Sequence, residues 1–179
     1  SSGEWRWTSS DLLEVERRFL AALDACNARP VIDPAVVEAV IAARPTLGDD
    51  QAAAVRQIAA SGAAVAVLVG PAGTGKTFTL DAVRETFETA GCRVLGAAPS
   101  ARAAMELEAG AGARSATLHR LAGEWSRGYG APNARTVLII DEAAMAGIRD
   151  LEALVTATVT AGGRVVLAGD HRQLPEITA

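Results

Sequence analysis

Lysine is almost missing from this 179-residue chain: sixteen arginines stand beside a single lysine, Lys76. Aromatic residues contribute 4%, histidine occurs only as His119 and His171, and cysteine only as Cys26 and Cys92. Each scarcity excludes something. Two distant cysteines and two histidines, none in a metal-spaced pair, cannot assemble a zinc site, and they leave a reduced, cytoplasmic protein as the expectation. No stretch approaches the ~18 consecutive apolar residues of a membrane span, so no membrane partner is expected. There is neither a signal-peptide pattern nor an initiator methionine, and the chain reads as a piece of a longer protein, expected to be a monomer. The net charge of −4 is not the basic excess of a dedicated nucleic-acid binder. Half of the residues are hydrophobic, largely through alanine, which suffices for one sizeable domain with room for a small appendage.

The one lysine closes Gly70-Pro71-Ala72-Gly73-Thr74-Gly75-Lys76-Thr77. This stretch fits the phosphate-binding pattern G-x-x-x-x-G-K-[ST] at every fixed position. Ala63 to Val69 before it is an uncharged apolar run, read as a strand buried on both faces. After it Phe78 follows, and Leu80, Val83 and Phe87 recur at helical spacing until Gly91. In a strand–loop–helix setting, glycines let the backbone wrap an anion and aim successive N–H groups inward, and the helix adds its positive end. Lys76 would reach the β- and γ-phosphates, and the Thr77 hydroxyl would ligate Mg²⁺. An arginine-rich chain has kept lysine where a compact ammonium suits phosphate better than a planar fork. The glycines do not continue as G-x-G-x-x-G, which argues against a dinucleotide and for a nucleoside triphosphate.

Along the chain, residues 1–46 read as a helical segment. Thr8 and Asp11 have capping-box spacing before Leu12, Val15, Phe19 and Leu23. Trp5 and Trp7 precede that helix and either pack on it or stack on bases. Asp33-Pro34 opens a second helix, carried by Val36, Val37, Val40 and Ile41 to Arg44 and stopped by Pro45. A third runs from near Gln51 to Gly62. Candidate strands at 64–69, 93–98, 136–140 and 164–168 then alternate with helices, which predicts an α/β fold with a mainly parallel sheet from residue 47 to 179. Ligands in such folds sit at the carboxyl ends of the strands.

Two further motifs fall at those ends. Val137-Leu138-Ile139-Ile140-Asp141-Glu142 places two acids after an apolar strand. With a phosphate loop upstream, Asp141 would hold Mg²⁺ and Glu142 would orient and polarise the attacking water; taken alone, the pair could equally be surface charge. Leu167-Ala168-Gly169-Asp170-His171-Arg172-Gln173-Leu174-Pro175 offers Gln173 as a γ-phosphate donor, or a polar turn ended by proline. Residues 100–135 carry five arginines against three glutamates, so +2, which leaves −6 for the rest of the total −4. That segment is either a local basic surface or an ordinary solvated face.

Taken together, the stretches at 70–77, 141–145 and 169–175 resemble motifs I, II and III of superfamily 1 helicases, closest to the RecD-like branch. Ala98 to Ala104 resembles motif Ia, with Ser100-Ala101 in place of the usual Thr-Gly, and Ala116-Thr117-Leu118-His119-Arg120-Leu121 resembles that branch's Thr-Leu/Ile-His-Arg element. Leu47 to Gln51 is similar to the Q-motif. The opening Trp7 to Glu16 resembles the segment before the motor in MobF-type conjugative relaxase–helicases of the TraA/TrwC kind. The resemblance implies a first RecA-like domain with ATP and Mg²⁺ as ligands, Gln51 reading adenine, and single-stranded DNA over Ser100, Arg102, Thr117, His119 and Arg120. For His119 a core histidine bonded to a carbonyl remains an equal alternative. It further implies a second RecA-like domain elsewhere in the same protein, without which hydrolysis would be slow.

Overall fold

The computed structural model describes residues 14, 15, 17, 18, 21, 29, 31–70 and 73–169. Among these residues five strands form one all-parallel sheet: β1 (Val65–Val69), β2 (Arg93–Ala98), β3 (Ser115–Thr117), β4 (Thr136–Ile140) and β5 (Arg164–Gly169), in the order β1-β5-β4-β2-β3. From residue 31 on, the helices are α1 (Pro34–Ala42), α2 (Asp49–Ala60), α3 (Lys76–Thr89), α4 (Ala101–Ala111), α5 (Leu118–Ser126) and α6 (Ile148–Thr160), with a 3₁₀ turn at Ala143–Met145. The expected α/β architecture is present, with the four expected strands in their places. β3 was not expected: three residues without an apolar run leave no strand pattern to read.

Alternation along the strands sorts the core into two layers. Leu68, Val94, Val137, Ile139 and Val166 point to the side of α1 to α4, where they meet Val37, Val40, Val55, Ile58, Leu80, Val83, Phe87 and Leu107. Ala97, Leu138, Ile140, Val165 and Leu167 point the other way, onto Leu121, Trp125, Leu154, Val155 and Val159 of α5 and α6. A strand period of two makes this division obligatory once the register is fixed. Leu80, Val83 and Phe87, the predicted helical stripe, are at most 2% exposed.

β1 departs from the expectation of burial on both faces. Val67 is 55% and Val69 48% exposed. β1 stands at the edge of the sheet, and its odd-numbered side chains point toward the α5–α6 side, where the described helices cover β5, β4 and β2 but not the upper half of β1. An apolar run reports that a strand wants cover, not which face receives it.

At the start of the described chain, Asp33 caps α1, its carboxylate accepting from the Ala35 N–H at 2.9 Å, with Pro34 at the first helical position as read from the sequence. The helix ends at Ala42, two residues short of the expected Arg44. Arg44 instead turns back onto α3, 2.6 Å from Asp81 and also bonded to Glu85, while Arg84 holds the other Asp81 oxygen at 2.7 Å. Burial raises the Asp81 carboxyl, but hydrogen bonds from Arg44 and Arg84 outweigh it and hold the group below its usual range. Ile32, Val37 and Val40 share one buried cluster with α2, α3 and the sheet, so α1 packs on the main core. The predicted first helix lies mostly outside the described residues. Of it, Glu14, Val15, Arg17, Arg18 and Ala21 are described and helical, Val15 is buried, and Arg18 Nε lies 3.2 Å from Glu152 Oε1 on α6.

Arg164, at the start of β5, is buried at 4% exposure. It donates to the carbonyls of Ile58 and Ser61 at 2.8 and 2.6 Å and lies 5.1 Å from the Phe87 ring centroid. These contacts tie the end of α2 to the foot of the sheet. No helix among the described residues is long and apolar enough to cross a membrane.

Candidate nucleotide site

The loop after β1 and the acids after β4 open at the same end of the sheet, because Val69 pairs with Gly169 and Ile140 with Leu167 in a parallel ladder. One strand, β5, separates them. The Gly70 N–H donates to the Gly169 carbonyl at 3.2 Å, so the chain leaves the sheet there and turns into the glycine loop. Pro71 and Ala72 lie outside the described residues, as does everything from Asp170 on, Gln173 included.

Three glycines of the loop are required for different reasons. Gly73 and Gly75 have φ of +81° and +75°, a region that only glycine enters without strain. A Cβ on Gly70 would stand 2.9 Å from Thr74 Oγ1 and 3.3 Å from Lys76 Cγ, so Thr74 and the stem of Lys76 fold back over it. A Cβ on Gly75 would meet Gln51 Nε2 at 2.5 Å. Gly75 caps α3, and Lys76, Thr77 and Phe78 form its first turn, all partly buried. The described part of the loop, the N-terminus of α3 and the stem of Lys76 therefore lie together, an arrangement that favours an anion. With the Thr77 hydroxyl nearby and the carboxylate of Asp141 across β5, the donors are the hard oxygens that Mg²⁺ prefers.

Gln51 is tied to this loop. Its carbonyl oxygen accepts from Gly48 N–H at 2.9 Å, capping α2, and its amide NH₂ donates to the Thr74 carbonyl at 2.9 Å and the Gly75 carbonyl at 3.4 Å. Both ends of the amide are thus engaged with backbone.

At the end of β4, Asp141 N–H donates to the Ala97 carbonyl at 3.0 Å, extending the ladder by one residue, and its Oδ1 accepts from Glu142 N–H at 2.9 Å. Glu142 has φ 52°, ψ 37°, the sole non-glycine residue with positive φ among those described. For an L-residue this costs about 1–2 kcal/mol, and such strain concentrates at functional sites. It swings Glu142 out of line with the strand, leaving it exposed beside a partly buried Asp141.

The candidate DNA residues fall at the N-termini of α4 and α5, which follow β2 and β3 at the same end of the sheet. Ser100 caps α4, accepting from Ala103 N–H at 3.1 Å, and Thr117 caps α5, accepting from Arg120 N–H at 3.2 Å. Arg102 and Arg120 are exposed and each pairs with a glutamate one turn on, Glu106 at 2.8 Å and Glu124 at 2.9 Å. His119 is 91% exposed with Nδ1 3.3 Å from Asp150, so the core-histidine alternative is excluded.

Gly110 was missed by the sequence reading. A Cβ there would lie 2.2 Å from Thr77 Cγ2. Glycine near the end of α4 lets α3 and α4 approach closely just where the candidate metal ligand stands. The signal was a glycine inside a run of helix formers, where it costs about 0.5–1 kcal/mol relative to alanine.

Fold and loop together define a P-loop nucleotide-binding domain with an acid pair one strand away. Residues 46–179 match the family described as AAA domain. The chain belongs to that family, and it is a RecD-like superfamily 1 motor domain with TraA-type relatives. It is 38% identical over 148 residues to "Conjugal transfer protein TraA" of Rhizobium radiobacter, covering 83% of this chain and 13% of that protein. It is 37% identical over 144 residues to "Probable conjugal transfer protein TraA" of Sinorhizobium fredii, covering 80% and 13%. The "ATP-dependent RecD2 DNA helicase" of Deinococcus radiodurans is 33% identical, with 100% of this chain and 26% of that protein covered. The chain thus spans about an eighth to a quarter of the length of these relatives.

Proposed function

We propose that this chain is the ATP-binding half of a motor that couples ATP hydrolysis to movement along single-stranded DNA, in a protein of conjugative plasmid transfer. The observation that carries the reading is Glu142, held in a strained left-handed conformation directly after Asp141 and one strand from the glycine loop. The Glu142 backbone opens the 3₁₀ turn, its carbonyl accepting from Met145 N–H at 2.8 Å, but the exposed carboxylate itself packs on nothing, and an acid aimed at water beside a γ-phosphate has use for that position. Lys76 and the loop N–H groups hold the β- and γ-phosphates, with Pro71, Ala72 and Phe78 completing the loop and the helix start. Thr77 and Asp141 would hold Mg²⁺, which when bound neutralises charge developing on the phosphate oxygens. Glu142 orients the attacking water, and Gln173 reports the loss of the γ-phosphate. Gln51 would read the adenine edge, and its hydrogen bonds to the Thr74 and Gly75 carbonyls would couple that reading to the loop.

The caps at Ser100 and Thr117 leave each hydroxyl hydrogen able to donate to a phosphate, and Arg102, His119 and Arg120 are exposed around them. These groups would track one strand without reading sequence. In the RecD-like arrangement an arginine finger from a second motor domain of the same protein is worth about 10³–10⁵ in rate. The 179-residue chain alone would bind ATP, turn it over slowly and stay monomeric, in the cytoplasm. A recombination or repair helicase is the second reading, favoured by an alignment with the RecD2 helicase that covers 100% of this chain.

The test is ATP hydrolysis by the protein that contains this domain, with and without single-stranded DNA. Stimulation by DNA that disappears in Glu142→Gln supports the motor. ATP binding without any DNA-dependent hydrolysis refutes it.

A further inference from the structure

Beyond the motif residues, a cleft of about 480 Å³ opens beside the outer edge of the sheet. Its origin is the shortness of β3, which pairs only with Gly96, Ala97 and Ala98 and leaves the first half of β2 without a strand on that side. The cleft is lined by Arg93, Arg114 and Arg120, by Glu108 and Glu124, and by Trp125 and Tyr129. Most of these are engaged. Arg93 donates to the carbonyls of Gly130 and Ala131 at 3.1 and 2.9 Å and so pins the loop that carries Tyr129. Glu108 accepts from Ser115 N–H at 2.9 Å, and Glu124 pairs with Arg120. Trp125 is buried at 9% exposure and forms part of the inner core.

Two groups stand apart. Arg114 is exposed and makes no ion pair among the described residues. Tyr129 is 69% exposed, raised between Gly128 and Gly130, whose φ of +81° and +62° make a turn that holds it off the surface. Three guanidiniums against two carboxylates leave the cleft positive, and both carboxylates already have partners. An exposed aromatic ring and an exposed guanidinium lining one cleft can take a base on the ring face and a phosphate on the cation. Arg120 lines this cleft and also stands at the N-terminus of α5 among the candidate DNA contacts. The two surfaces are therefore continuous.

We infer that this cleft is a nucleotide subsite for single-stranded DNA leaving the α4–α5 surface, with a base stacked on Tyr129 and its phosphate on Arg114. The inference rests on the reading of the chain as a single-strand binder, and it extends the track around the β3 edge. An acidic peptide is the competing occupant, but it would have no use for the Tyr129 face.

The probe is a fluorescent deoxythymidine oligomer of about 16 nucleotides, titrated against the 179-residue chain at several salt concentrations. Tyr129→Ala is expected to weaken binding about tenfold while Tyr129→Phe keeps it, since the stack needs the ring and not the hydroxyl. Arg114→Ala is expected to lower the salt slope by about 0.7, one phosphate contact on a single strand. Both side chains are exposed, and unchanged melting temperatures would show that the variants fold. If Tyr129→Ala and Arg114→Ala bind like wild type while Arg102→Ala weakens binding, the subsite is overturned and the DNA reading stands. If polyglutamate displaces the oligomer as readily as unlabelled DNA does, the cleft is an acidic-partner site and the inference falls. If no variant and no wild type binds the oligomer, both readings fall together.

Discussion

Replacing Gly110 by alanine asks whether the α3–α4 contact sets the position of the Thr77 hydroxyl. The added Cβ would lie 2.2 Å from Thr77 Cγ2, 3.4 Å from its Cβ and 3.9 Å from its Oγ1. Carbon–carbon contact is comfortable near 3.5–4.0 Å, so a gap of roughly 1.5 Å must open. Moving the helices apart would disturb Leu107 and Ala111, which are at most 1% exposed. The cheaper course is rotation about the Thr77 Cα–Cβ bond. Only the rotamer that turns the lone hydrogen toward α4 relieves the clash, because oxygen in the vacated place would be as close as the methyl was. That rotamer carries Oγ1 about 120° away from its present direction. Overpacking costs about 1–3 kcal/mol and better helix propensity returns about 0.5–1, so a net loss near 1 kcal/mol is expected. In a chain of this size that lowers the melting temperature by about 2–4 °C. The larger effect is on metal-assisted binding: displacing one oxygen that serves a charged partner is worth about 1.5–3 kcal/mol, or tenfold and more in Mg-ATP affinity. Gly123→Ala in α5 is the control, since its Cβ would meet only Arg127 NH2 at 3.8 Å. It should stabilise slightly and leave ATP binding alone. Thermal melts and calorimetry with and without Mg²⁺ read both terms. Equal stability and equal Mg-ATP affinity in the two alanine variants would refute the reasoning.

Other expectations follow from single contacts. Glu142→Gly relieves a left-handed φ of 52° and should raise stability by about 1 kcal/mol while abolishing hydrolysis; a loss of stability in denaturant titrations would show that the side chain, not the strain, dominates. Phe87→Ala removes a ring that is 2% exposed and lies under Arg164, and should cost about 3–5 kcal/mol by the same titration. The Asp81 carboxyl sits below its ordinary 3.8 in the fold, so the stability it contributes is complete above that value and is lost as pH falls through the lower folded one. Urea midpoints of wild type and Asp81→Asn should therefore differ at pH 7 and converge in acid; a gap that widens on acidification contradicts the assignment.

How much of this was legible in the sequence depended on how far apart the interacting residues lie. The loop from Gly70 to Thr77 declared itself because its chemistry is local: glycines for a tight wrap, lysine for phosphate, a helix behind. Strands β2, β4 and β5 were equally plain as apolar runs between turns. β3 was hidden because Ser115-Ala116-Thr117 has no pattern of its own and exists as a strand only by pairing with Gly96 to Ala98. The open face of β1 was hidden for a related reason, since Val67 and Val69 look the same in sequence whether covered or bare. Gly110 needed the third dimension, for its partner Thr77 stands on the neighbouring helix. Ser100 and Thr117 were singled out through a family resemblance, and the fold gives each a capping role that the sequence also allowed. His119, open to either a core or a surface reading, needed its place in the fold to decide.

The central claim, that the loop around Lys76 holds a nucleoside triphosphate, is tested most directly by calorimetry of Mg-ATP binding to the chain and to Lys76→Ala, with melting temperatures matched to exclude unfolding. Lys76 is the one lysine in the sequence and the one ammonium the loop can present to the β- and γ-phosphates. Saturable binding to wild type and none measurable to the variant is the expected result. Equal affinity in both would contradict it.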